Sequence, residues 1–347
     1  MEEKFSDCPT ILERLTEKRF GSQVAAAPKI SVIIPAYNIA PYIKETLDSV
    51  FAQTYKDFEI VLVNDGSTDT EELEKVLAPY FDKIIYAEQT HLGASQTRNA
   101  AICLAQCEFL AFLDGDDIWF PGFLESSINY LEKNSLEMVY CDAELFGERL
   151  FSGKTFMQTA PSNGKVTAIS LINCECNVIT SGTVIKKDLI VKFNMFDTDF
   201  TQRQDFDLWF RLAKNGAKIG YQKKVLLKYR VRLSSLSGTN IDRAERNIRA
   251  LDVVNKYELN EQEKAVWEKQ MALCEAQLEL EKGKSCLISG DFPKARTHIA
   301  QANKFYRKSK LSLIIGLINF SPQLALRLFR KIRPSEVAFI LPNNEQK

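Results

Sequence analysis

From Lys29 onward the chain alternates short apolar runs with amphipathic stretches, and this alternation restricts the fold more than any other feature. The runs are Ile30 to Ile34, Glu59 to Val63, Lys83 to Ala87 and Phe109 to Leu113. Between them, near Pro41 to Gln53, Thr70 to Leu77 and Ala94 to Ala105, apolar residues recur at helical spacing. Apolar runs this short suit strands buried on both faces. Strands separated by helices predict βαβ units, an α/β fold with a mostly parallel sheet flanked by helices. From about Glu137 to Arg232 the pattern is more mixed. Strands are expected there at Met138 to Cys141, Ser181 to Ile185 and Val225 to Val231, and a helix from Phe206 to Asn215.

At 347 residues the chain has room for about two domains. Three segments are expected: a leader over 1–28, an α/β domain over 29–236, and a helical region over 237–347. The leader reads as one helix around Ile11 to Arg19 followed by the small-residue linker Val24 to Pro28. In the C-terminal region, Ile241 to Tyr257 and Glu261 to Lys282 carry apolar residues at helical spacing, and Gly290 to Arg296 opens a unit like one helical repeat. Leu311 to Leu326 holds no charge, but Asn319, Ser321, Pro322 and Gln323 interrupt it. It is too short to span a bilayer, which takes about 20 apolar residues. Basic residues flank it, and no Asp or Glu occurs from Phe292 to Ser335. Two arrangements fit equally: an interfacial hairpin making peripheral membrane contact through 304–333, or a helical pair packed on the rest of the protein.

The 45 Lys and Arg balance 45 Asp and Glu, which argues against nucleic acid as a partner. Eight cysteines are scattered, and Cys174-Glu-Cys176 has no second pair, so neither a zinc site nor a disulfide framework is indicated. Reduced, mostly buried thiols of a cytoplasmic protein are expected. The first residues carry no apolar signal core.

The Phe109 to Leu113 run ends in Asp114-Gly115-Asp116-Asp117. C-terminal strand ends are where open α/β sheets place ligands. Carboxylates crowded there repel unless a cation joins them, and Mg²⁺ or Mn²⁺ prefers such oxygen ligands; a turn with helix-capping aspartates is the other explanation. The first two strands run into Pro35-Ala36-Tyr37-Asn38 and Asn64-Asp65-Gly66-Ser67-Thr68-Asp69. Three polar junctions on one sheet edge imply a nucleotide-sized crevice.

Together, Val32 to Asn38, Val63 to Asp69, Gly93 through Arg98-Asn99, and Leu113 to Asp117 resemble the family 2 glycosyltransferases of the Rossmann-like GT-A fold, over about residues 29–235. The resemblance implies inverting transfer of a sugar from a nucleotide-diphosphate donor, commonly a UDP-sugar, to an acceptor hydroxyl, with a divalent metal, Mn²⁺ or Mg²⁺. By position it assigns Pro35, Tyr37 and Asn38 to the donor nucleotide, Asp65 to the base, and Gly93, Arg98 and Asn99 to a further donor-binding stretch. Asp114 and Asp116 match its Asp-x-Asp motif, with Asp116 on the metal and Asp114 near the ribose or a bound water; Asp117 would support them from behind. In Gln204-Asp205-Phe206-Asp207-Leu208-Trp209, Asp205 takes the place of the general base. Gln204 replaces a frequent acid, and Gln204 and Trp209 are acceptor-site candidates, with packing the simpler role for Trp209. Asp207 and Arg211, four apart, suit an ion pair.

Arg232 stands where many relatives have histidine. It cannot ligate a metal but can hold a diphosphate as a fixed cation. His91 and His298 read as a loop residue and a helix-surface residue. The family further implies a glycan or lipid-linked acceptor in surface-polysaccharide biosynthesis, and a cytoplasmic location at the inner face of the membrane. A nucleotidyltransferase would need a Gly- and Arg-containing loop after the first strand, and a dehydrogenase Gly-x-Gly-x-x-Gly; neither is present. A catalytically weak scaffold acting through its C-terminal helices is the remaining rival. It would not need Asp65, Asp114, Asp116 and Asp205 together.

Overall fold

The computed structural model describes residues 8–24, 28–147, 153–200, 202–232 and 240–332. The start of the leader (1–7), Ala25 to Ala27 of the linker, Leu233 and Ser234 beyond Arg232, and Arg333 of the basic tail lie outside the described residues.

The apolar runs become strands of one nine-stranded sheet, in the order β1-β4-β3-β2-β5-β8-β7-β9-β6. The strands are β1 (Leu15–Phe20), β2 (Ile30–Ala36), β3 (Phe58–Asn64), β4 (Ile85–Gln89), β5 (Phe109–Phe112), β6 (Ile118–Trp119), β7 (Met138–Gly147), β8 (Thr183–Lys186) and β9 (Ile219–Val231). The block β4-β3-β2-β5 is parallel, with β1 and β8 antiparallel at its flanks; beyond β8 lie β7, antiparallel to it, β9, parallel to β7, and β6, antiparallel to β9. Helices α1 (Cys8–Glu13), α2 (Ile43–Phe51), α3 (Thr70–Leu77), α4 (Ala94–Leu104) and α5 (Phe123–Lys133) fill the connections. Short helices α6 (Phe156–Thr159), α7 (Ala168–Ile172) and α8 (Lys187–Lys192) precede α9 (Gln204–Lys214).

Burial on both faces explains why β2 and β3 carry unbroken Ile and Val. Ile30, Val32 and Ile34 join Ile60, Leu62, Leu47 and Val50 in one cluster, while Ile33 and Val61, pointing the other way, are equally buried. Register sets the site. Ala36 is level with Asn64, and Asn64 with Glu88, so the loops after β2, β3 and β4 leave from one edge. The cluster after β5 leaves from the same edge, Ile33 being level with Phe112.

Two expectations for the N-terminal residues are corrected. The leader helix stops at Glu13, and Leu15–Phe20 is a strand antiparallel to β4. Its inward residues include Glu17 and Arg19; Arg19 pairs with Glu17 and lies 4.7 Å over the Phe81 ring. A period of two written in charged side chains carries no hydrophobic signal. The thiols are not all reduced either. Cys8 of α1 and Cys103 of α4 form a disulfide across a separation of 95 residues. Such spacing matches no compact cysteine pattern. The other six cysteines are free, and Cys107, Cys141, Cys176 and Cys274 are buried as expected.

The chain divides into two compact units at Arg232 and Leu233, so the N-terminal strand belongs to the α/β unit and not to a separate leader. The second unit comprises α10 (Asn240–Val254), α11 (Glu261–Ser289), α12 (Phe292–Tyr306), α13 (Ser309–Phe320) and α14 (Pro322–Ile332). Its helix ends are encoded locally. Asn260 and Glu263 form a capping box on α11, left-handed Gly290 ends it, and Asp291 caps α12. Among the described residues, no helix is long and apolar enough to cross a membrane. His298 bonds Glu279 at 2.8 Å and is part-buried, consistent with its place on a helix surface.

Candidate active site

Side chains stitch the β2, β3 and β4 exits together. Asn38, left-handed with φ 53°, accepts from the Thr68 backbone N–H at 2.9 Å and its hydroxyl at 3.0 Å. The Ala40 N–H donates to Asp69 at 2.9 Å. Pro35 lies inside β2, level with Val63. Gly66 turns the next loop with φ +62°, and a Cβ there would meet the His91 nitrogen at 2.8 Å, so the position requires glycine.

Asp65 is only 2% exposed. One oxygen accepts from Gln89 Nε2 (2.7 Å) and the Leu92 N–H (2.9 Å). The other accepts from the Gly93 N–H and pairs with His91 Nδ1, both at 2.9 Å. The carboxylate thus fixes the 91–93 turn, a task its expected role at the base did not include. Its sequence signal was absent, because two of the donors are backbone N–H groups. Tyr37 is exposed, and its ring stacks on His91 with centroids 4.2 Å apart. His91 therefore belongs to the site edge and is more than a loop residue.

Gly93 caps α4, whose next turns carry Arg98 and Asn99. Arg98 donates to Asp114 Oδ1 at 2.6 Å. Asn99 points elsewhere: its amide makes reciprocal 2.8 and 2.9 Å bonds with the Phe196 backbone, and it is buried. It holds the segment beneath α4 in place and is not presented to a donor, which corrects its expected role.

The three acids after β5 have different environments. The Asp114 backbone N–H donates to Ser181 Oγ at 3.1 Å. Asp116 is paired with Arg232. Asp117 is buried and accepts from the Arg230 N–H at 2.8 Å, leaving its second oxygen without a partner. Burial, and next the Asp114 charge, raise the Asp116 pKa against the pull of Arg232. Burial, then Asp116 and Asp114, push Asp117 well above the usual carboxylate range. Arg230 holds the same turn through the Asp116 carbonyl (2.9 Å) and ties it to Glu45 of α2 (2.6 Å).

Arg98 and Arg232 pair with Asp114 and Asp116, while the buried second oxygen of Asp117 has no hydrogen-bond partner. Oxygen donors there fit a hard divalent ion. Among the described residues, the group of three acids whose oxygens all lie within 4.8 Å of one another is Glu17, Glu74 and Glu88, on the β1 flank, so the aspartates alone do not form a three-ligand cage. Two of them could share an ion with phosphate oxygens, as Mg²⁺ commonly does.

Asp205 lies in the first turn of α9, after Arg203 in a left-handed conformation (φ 63°). Thr180 Oγ1 donates to Asp205 at 3.4 Å, while the next residue, Ser181, holds the Asp114 backbone. One short turn thus links Asp205 to the acid cluster. Tyr229 registers the same convergence: its pKa is raised by burial and then by Asp117, Asp114, Asp116 and Asp205. Asp207 and Arg211 do form an ion pair, at 2.7 Å. Gln204 is part-exposed beside Asp205. Trp209 is 2% exposed and packs edge-on against Phe196, so it is core and not an acceptor wall.

A mostly parallel α/β sheet with polar loops and a cluster of acids leaving one edge is the architecture of the GT-A fold. The profile of Glycosyl transferase family 2 matches residues 31–175. An uncharacterised glycosyltransferase of Rickettsia prowazekii is 33% identical over 222 residues, covering 63% of this chain and 69% of that protein. The UDP-Glc:alpha-D-GlcNAc-diphosphoundecaprenol beta-1,3-glucosyltransferase WfgD of Escherichia coli is 30% identical over 223 residues, covering 62% and 83%. The chain belongs to glycosyltransferase family 2, and it is a transferase. In fold it is similar to S. aureus TarS solved with UDP (TM-score 0.55, 18% identity, 88% of this chain and 90% of that one). It is also similar to the Pyrobaculum calidifontis mannosyltransferase PcManGT solved with GDP-Man and Mn²⁺ (TM-score 0.59, 18% identity, 96% and 90%).

Proposed function

We propose that this enzyme transfers a sugar from a nucleotide-diphosphate donor, a UDP-sugar, to an acceptor hydroxyl with inversion, using Asp205 as general base. The observation that supports this is the Thr180-Ser181 step, whose two hydroxyls bond Asp205 and the Asp114 backbone in turn. The donor's nucleobase lies against the Tyr37 and His91 rings, and Arg98, Arg232, Asp114 and Asp116 face the diphosphate. Asp116, with Asp114, would hold a divalent ion, Mn²⁺ or Mg²⁺, with Asp117 supporting the turn from behind. When bound, the ion neutralises charge on the departing diphosphate. The acceptor oxygen attacks the anomeric carbon from the side opposite the leaving group, and Asp205 takes the hydroxyl proton as the bond forms. The carbon–oxygen bond to the diphosphate breaks in the same step, so one displacement inverts the centre. Arg232 leaves Asp116 for the diphosphate as that charge develops.

The UDP and GDP-Man complexes of the two similar structures support a nucleotide-sugar donor, and the Mn²⁺ in one supports the ion. The E. coli relative's diphosphoundecaprenol-linked acceptor supports a lipid-linked glycan as acceptor. The test is nucleotide release across a panel of UDP- and GDP-sugars with a lipid-linked acceptor, with and without Mn²⁺. Release only from UDP-sugars and only with the ion is expected. Release from none of them would overturn the proposal.

A further inference from the structure

The second unit leaves apolar surface uncovered in an ordered pattern. Ala325 and Leu326 of α14 pack with Leu287, Ala295, Ile299 and Ile318. Leu324, Leu328 and Ile332, spaced four apart, form a separate row that is 46%, 41% and 70% exposed. Residues at this spacing lie one above another on a helix. Arg327 and Lys331, each three residues beyond a leucine of the row, border it and are exposed. On α13, Leu313 and Phe320 are seven apart and so share a face; they are 73% and 92% exposed, and Phe320 sits at the turn into α14.

We infer that this α13–α14 surface docks on an anionic lipid bilayer, lying in its interface. The inference rests on the second unit alone and stands apart from the transfer chemistry. Charge selects the occupant. From Phe292 to Ile332 the sequence has nine Lys and Arg and no acid. A second copy of the same face would bring basic side chains against basic side chains, whereas an anionic headgroup layer matches them. Exposed aromatic and aliphatic side chains bordered by basic residues are what an in-plane helix inserts below the headgroups. No described helix is both long and apolar enough to cross a membrane, and a peripheral contact is the one inferred.

The experiment is flotation of the full chain with vesicles of phosphatidylcholine alone or with phosphatidylglycerol admixed. Wild type floats with the anionic vesicles and not with the neutral ones. The triple variant Phe320→Ser, Leu324→Ser, Leu328→Ser loses at least roughly a hundredfold in partitioning, because each side chain forfeits its transfer into the interface. Arg327→Gln with Lys331→Gln, which alters no packing, loses about fivefold per residue at low salt and less as salt rises. Circular dichroism establishes that both variants keep their helices. No flotation by wild type, equal flotation on neutral vesicles, or both variants floating like wild type would each overturn the inference. So would a triple variant that floats normally but scatters light as a smaller assembly, since the face would then be a contact between copies.

Discussion

Replacing Asp65 separates two roles for one carboxylate. With four donors on two oxygens in a buried position, Asp65 first of all holds the 91–93 turn. In Asp65→Asn an amide NH₂ replaces one oxygen, so two of the four donors face a donor. Hydrogen bonds to a charged group are worth about 1.5–3 kcal/mol each. Counting the exposed His91 bond as negligible leaves one or two such losses, a cost of about 3 kcal/mol. Asp65→Ala leaves the Leu92 and Gly93 N–H groups unpaired and Gln89 with Thr97 alone, and costs more, at about 1–3 kcal/mol for each orphaned buried donor. In urea unfolding, a slope of roughly 1–3 kcal/mol/M converts the Asn loss to a midpoint shift of about 1 M or more. Nucleotide affinity, read by calorimetry, falls at least about tenfold because the turn carrying His91 and Gly93 loosens. The ordering Asp, Asn, Ala should hold for stability and for affinity alike. An Asn variant that keeps its urea midpoint and loses only nucleotide affinity would refute the reasoning, because the carboxylate would then act on the ligand and not on the loop.

Arg232→Gln removes the cation from Asp116, so Mn²⁺ should bind the nucleotide-free protein about fivefold more tightly, the equivalent of a partly exposed ion pair of roughly 1 kcal/mol, while KM for the donor rises. Electron paramagnetic resonance of free Mn²⁺ reads the first effect; unchanged Mn²⁺ affinity counts against the pairing. Asp117→Asn should be stabilising at neutral pH. The folded-state pKa of Asp117 is raised, so between the ordinary value near ~4 and the raised one only the folded protein holds the proton, and wild-type stability declines as pH rises through that window. Denaturation across pH should show the two proteins alike below that window and the Asn variant ahead above it; parallel curves contradict the assignment. Thiol titration of the denatured, unreduced chain should find six of the eight cysteines, and a count of eight would remove the Cys8–Cys103 bond.

Much of this was legible in the sequence. The core strands announced themselves because strands buried on both faces must be apolar throughout, and Asp114 to Asp117 stood out because acids end such a run. What stayed hidden was encoded in contacts at long separation. Ser181 and Thr180 lie 67 and 25 residues from Asp114 and Asp205, in a stretch that reads as the start of a strand. Asn99 and Trp209 sit within motifs of the family, but their direction depends on Phe196, which no local pattern includes. Strand β1 escaped because its inward residues are charged. A helical period and a strand period look alike when the hydrophobic contrast is missing.

The account centres on Asp205 as the group that takes the acceptor proton at the edge of the acid cluster. Single-turnover transfer at saturating donor, wild type beside Asp205→Asn, measures this most directly. The account predicts a rate lower by about a hundred- to ten-thousandfold, unchanged donor affinity, and a product of inverted anomeric configuration from the wild type. A variant that transfers at the wild-type rate, or a wild-type product that retains the donor's configuration, would contradict it.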